Sequence, residues 1–187
     1  MLTLFLVFNS NTYIDYSLSW GLKKIIYLIA FLNTFLIPLI FSLVLVKRGV
    51  IQSLSMRTKE ERIFPFLFAS IFYFFTYYLL TEIPIPPIIC KMVLAASVSV
   101  FLSILISLKW KISIHMIGAG GALGAILSLS YLLEADLQGV IILLILFSGL
   151  LGFARLKLNE HLPSQVYAGF FLGLFLQLFI LIGLPIS

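Results

Sequence analysis

The chain has 187 residues, 62% hydrophobic and 10% charged, with a formal net charge of +5. A soluble domain is nearer half apolar and a quarter charged, and one small domain cannot bury so much apolar surface. The composition excludes an ordinary soluble fold and makes lipid the solvent.

The first residues, M-L-T-L-F-L-V-F-N-S-N, form a short apolar run with no leading positive charge. They lack a small-x-small cleavage site, so residues 1–24 read as an interfacial or bundle-capping segment rather than a signal peptide. Residues 25–187 read as one membrane domain. A span needs about 20 apolar residues to cross a hydrocarbon core roughly 30 Å thick. Six segments qualify, at 25–46, 64–81, 88–107, 115–133, 138–153 and 163–185, the fifth being short. They must be helices, because an open strand in lipid leaves its backbone groups unpaired. The expected fold class is therefore an all-α, six-helix transmembrane bundle.

The connections alternate between two sides. Residues 47–63, 108–114 and 154–162 share one side and hold nine of the twelve basic residues. By the positive-inside rule that side faces the cytoplasm. Both histidines, His115 and His161, fall on it, each at the start of a helix. Helix N-termini favour anions through free N–H groups and the macrodipole. Pro163 suits the first turn of the sixth span. Gln165 lies four residues after His161 and can share its face. Arg155 lies six before, so the intervening residues must turn to bring the two together. The loop before the second span supplies Arg57, Lys59 and Arg62. Gly120 and Gly124 on the fourth span, and Gly169 and Gly173 on the sixth, are small-xxx-small pairs that let membrane helices approach closely. Packing those spans together would bring the two histidines near one another.

These residues carry a resemblance. Ala154-Arg155, five residues, His161, three residues and Gln165 keep the spacing of the third motif of the type 2 phosphatidic acid phosphatases, Ser-Arg…His…Asp. Ile112-Ser113-Ile114-His115 is similar to the second motif, Pro-Ser-Gly-His. Arg57, Lys59, Arg62 and Pro65 sit in the loop of the first motif without its spacing. The resemblance covers roughly residues 47 to 185 and implies a six-helix enzyme that removes phosphate from lipids. By that likeness His161 is the nucleophile, His115 the general acid and Gln165 stands where an aspartate orients the nucleophile. Arg155, Arg62, Lys59 and Arg57 would hold the phosphate, with Ser113 adding a hydrogen bond. The substrate would be a phosphatidate, phosphatidylglycerol phosphate or polyprenyl phosphate, and the bacterial cytoplasmic membrane its setting. The family's bacterial members mostly present the site outside the cytoplasm, opposite to the loop charges here.

The sequence carries two other readings. Ala154, Ile114 and Gln165 suit a family-derived protein that binds lipid headgroups or a partner without catalysis. A small transporter or assembly subunit is the third, disfavoured because the spans hold almost no ionisable residue at midplane. Other chemistry finds little support. No cofactor is expected. Two histidines and the single Cys90 give no metal motif and no disulfide. The glycine run G-A-G-G-A-L-G lacks the strand–helix context of a phosphate loop. No basic tract with interleaved aromatics points to nucleic acid.

Overall fold

The computed structural model describes residues 2–10, 12–54 and 60–184, apart from the side chains of Leu2 and Glu60. Two short helices, α1 (Leu2–Val7) and α2 (Tyr13–Ser17), precede a long first span. That span runs from Trp20 to Lys47 as α3 (Trp20–Phe31), a π-helical turn (Leu32–Leu36) and α4 (Ile37–Lys47). The π turn has an identifiable cause. Pro38 has no N–H for the carbonyl of Thr34, and its ring would crowd that carbonyl in a regular helix. Widening the preceding turn relieves the conflict. The remaining spans are α5 (Glu60–Thr81), α6 (Pro87–Ser107), α7 (Ile114–Leu132), α8 (Gln138–Lys157) and α9 (Pro163–Gly183).

Six helices are long and apolar enough to cross a bilayer, and the described residues contain no strand. The protein is an all-α, multi-pass membrane bundle. Three boundaries differ from the sequence reading by four residues or more, the start of the second span at Glu60 among them. The first span begins at Trp20, because Ser19 caps its first turn by accepting from the Leu22 N–H. The fifth is not short: it continues through Arg155 to Lys157, a full 20 residues. Basic side chains in its last turn suit the negative end of a helix, so charge does not end it. The N-terminal segment caps the bundle. Leu4, Val7 and Phe8 are buried in the same core as Ile89 and Ile126.

The closest pairing is between α7 and α9, which run parallel. A β-carbon built on Gly169 would lie 2.5 Å from the Ser113 carbonyl oxygen, and one on Gly173 would lie 2.0 Å from that of Ile117. Gly120 and Gly124 face Phe170 and Leu174 in the same way, at 1.9 and 2.6 Å. Backbone therefore meets backbone along the seam, the contact that small residues permit in lipid. Both expected glycine pairs lie in this one interface. Its register is set by Ser113 opposite Gly169 and Ile117 opposite Gly173. That register brings the first turns of α7 and α9 to the same level.

Candidate functional site

Five segments converge where α7 and α9 begin. At the centre the Ser113 N–H donates to the Gln165 carbonyl at 3.3 Å, tying the two helix starts together. From α5, Arg62 enters with only 5% of its surface exposed, and its Nη1 donates to the Ile112 carbonyl at 3.3 Å. From α8 comes Arg155. It is positioned by Gly152, one turn earlier, which packs against Met116 and Val166. The turn required between Arg155 and His161 is present. The Glu160 N–H donates to the Arg155 carbonyl, and Asn159 takes the left-handed conformation at φ 52° that asparagine tolerates.

His161 is buried, with 7% of its surface exposed, and precedes α9 rather than belonging to it. Gln165 reaches back to it. The Gln165 Oε1 accepts from the Leu162 N–H at 3.1 Å and stands 3.2 Å from the His161 Nδ1. A backbone N–H can only donate, so the atom at that place is the amide oxygen. The Nδ1 facing it must then carry the proton. This fixes the tautomer and leaves the Nε2 lone pair free. One glutamine thus caps a helix and orients an imidazole.

The charges around this ring are mostly positive. Lys111 and Arg155 each stand 4.0 Å from one oxygen of Glu160. Arg62, Lys111 and Arg155 all act on His161, and Arg62 and Arg155 act on His115 as well. Burial, first, and then those three cations hold the His161 pKa below its ordinary value, against the opposing Gln165 hydrogen bond. His115 lies exposed in the first turn of α7. Ser113 is fully buried, and its hydroxyl has no hydrogen-bond partner; nor has the Nε of Arg155. Buried polar groups are ordinarily paired, so two unmatched groups within one polar cluster are unusual.

The structure therefore gathers His161, Gln165, Ser113, Arg155, Arg62 and the start of the helix bearing His115. Arg57 and Lys59 lie outside the described residues. The Glu160 carboxylate turns to Lys111 and Arg155. Lys111 is the cluster member that motif spacing did not single out. It lies two residues before Ser113, on the loop leading into α7, and no spacing rule marks it. Among the described residues no group of three histidine, cysteine or acidic side chains could hold a metal. Compared with protein-family models, curated proteins and solved structures, the chain matches none.

Proposed function

We propose that this protein is a lipid-phosphate phosphatase that works through a phosphohistidine. The reading takes the motif resemblance together with one carrying observation. A histidine with a defined free Nε2 sits among three cations, beside two buried polar groups that lack partners. Those unmatched groups and cations suit the equatorial oxygens of a phosphoryl group, whose transfer depends on positioning and charge stabilisation.

In this reading His161 Nε2 attacks phosphorus in line, and the P–O bond to the lipid breaks. The leaving oxygen takes a proton from His115. Water then attacks the phosphorus, giving its proton back to His115, and the P–N bond breaks to release phosphate. Arg62, Arg155 and Lys111 stabilise the oxygens, and Ser113 adds a hydrogen bond. Arg57 and Lys59 keep the phosphate-binding role that the resemblance implies. Gln165 holds the proton on Nδ1 but brings no negative charge to the developing imidazolium. Replacing the aspartate of a serine protease by its amide costs about 10⁴ in rate, so turnover here is slow. We place the enzyme in a bacterial cytoplasmic membrane, acting on phosphatidate, phosphatidylglycerol phosphate or polyprenyl phosphate.

Gln165 also favours a second reading, a headgroup-binding protein without catalysis. The deciding experiment is phosphate release from a panel of lipid phosphates by purified wild type, His161→Ala and Gln165→Asp. Release that is lost in the first variant and raised in the second upholds the enzyme. Wild-type release that survives His161→Ala sinks it. Silence from wild type with release by Gln165→Asp identifies a retired site that still binds.

A further inference from the structure

A cavity of about 240 Å³ lies inside the bundle, beyond the polar cluster. On α7 its wall runs from Ile114, next to His115, down to Ala122. The nine residues from Ile114 to Ala122 span about 12 Å of helix. Gly118, one turn below His115, opens this wall: a β-carbon there would meet nothing within 4 Å. The volume corresponds to about eight water-sized or methylene-sized groups at roughly 30 Å³ each. Most of the lining is aliphatic, from α6 and α7.

Among the polar groups described in the lining, one buried acceptor is unmatched. Thr34 and Ser99 donate their hydroxyls to carbonyls of their own helices, at 2.7 Å each. The Tyr73 hydroxyl faces Thr34. Gln177, 6% exposed, donates its Nε2 to the Met92 carbonyl at 3.1 Å, which fixes the amide orientation. Its Oε1 is buried and has no partner. Gln177 packs level with Gly121 and Gly124, so this acceptor lies about 12 Å below Ser113 along the parallel helices. An unmatched buried acceptor calls for a donor.

We propose that the cavity is a binding site for a single hydrocarbon chain bearing a hydroxyl or amide N–H at the depth of Gln177. The aliphatic walls take the chain, Gly118 gives it room to pass, and Gln177 Oε1 accepts from its donor. The inference rests on the phosphatase reading only for the headgroup, which would lie at His161. It adds a selection for chain-hydroxylated or amide-bearing lipids over plain ones of equal length.

The test uses the full chain in lipid nanodiscs with three photoreactive probes, each bearing a mid-chain diazirine. They are decyl phosphate, its analogue with a terminal hydroxyl, and phosphate-free decanediol. Labelled residues are mapped by mass spectrometry. The hydroxylated phosphate should label residues 92–100 and 114–122 about five-fold more than the plain one, the worth of one net hydrogen bond. Gln177→Leu should make the two equal, and Gly118→Leu should remove most labelling by both. Equal labelling in wild type, labelling that survives Gly118→Leu, or none in these segments, as a water-filled cavity would give, overturns the proposal. Decanediol separates the two ideas: cavity labelling that persists in His161→Ala upholds the chain site even where wild type releases no phosphate.

Discussion

The two ends of the bundle treat charge in opposite ways. At the end where α3 begins, Lys23 is paired with Asp15, and Lys91 donates to the Leu184 carbonyl at 2.7 Å. Each of these lysines has its own acceptor, and each link ties one segment to another. At the end where α7 and α9 begin, Lys111 and Arg155 share Glu160, with Arg62 close by. All three cations also act on the buried His161. One-to-one pairs serve the fold, whereas cations gathered around a buried histidine are what the proposed phosphate site would require. The first arrangement is a clasp and the second, in the proposed reading, a receptor.

Substitutions at the two ends should therefore trade places in their effects. Arg155→Ala should cut phosphate release about 10²–10³-fold, the usual loss for a group that stabilises transition-state charge, with little change in the thermal midpoint. Asp15→Asn should do the reverse, lowering the midpoint and sparing release. Parallel melting curves and release assays check both; equal loss of release in the two variants would erase the distinction. Next in size is the seam that sets the site. Gly173→Ala places a methyl against the Ile117 carbonyl and should cost about 1–3 kcal/mol of stability through overpacking. Gly118→Ala, with open space around it, should be nearly silent. A silent Gly173→Ala would mean the seam is looser than its register implies.

The seam and the site were legible in the sequence to different degrees. The small-xxx-small spacing of Gly120, Gly124, Gly169 and Gly173 already carried the pairing of the fourth and sixth spans, because only glycine admits such backbone contact. The six spans were legible from apolar length alone. The role of Gln165 as a helix cap was not, because a spacing of four shows a shared face and not a side chain reaching back past a proline. Lys111 was hidden for a similar reason: its loop folds over the start of α9, and no local pattern encodes that contact. The cavity had no local signal either, since its walls come from six separate segments of the chain.

The acid–base behaviour of His161 sharpens the contrast further. Burial and the surrounding cations favour the neutral ring, so its folded pKa lies below the ordinary value of about 6.5. The unfolded chain then takes up the proton first as pH falls. The stability this residue contributes is present above about pH 6.5 and is lost as pH drops through the folded pKa. In the proposed reaction the nucleophile follows the same direction: phosphate release should rise with pH along a limb centred below 6.5. Gln165→Asp adds a negative charge beside Nδ1, favours the imidazolium and should move that limb upward. An unmoved limb would mean that residue 165 only caps the helix.

The smallest effect belongs to Glu160, and it bears most directly on whether the basic end is a receptor. Its carboxylate stands between Lys111 and Arg155, where it competes with any incoming anion for the same two cations. Partly exposed pairs of this kind contribute about 0–1 kcal/mol, so Glu160→Gln should barely change the melting midpoint. It should tighten inorganic phosphate binding by a few-fold, because the rival charge is gone while both cations remain. Titration calorimetry at low ionic strength reads the gain, and added salt should shrink it as screening grows. Weaker phosphate binding in Glu160→Gln would show that the carboxylate organises the cations rather than occupying them, and the basic end would then resemble the clasp at the other end.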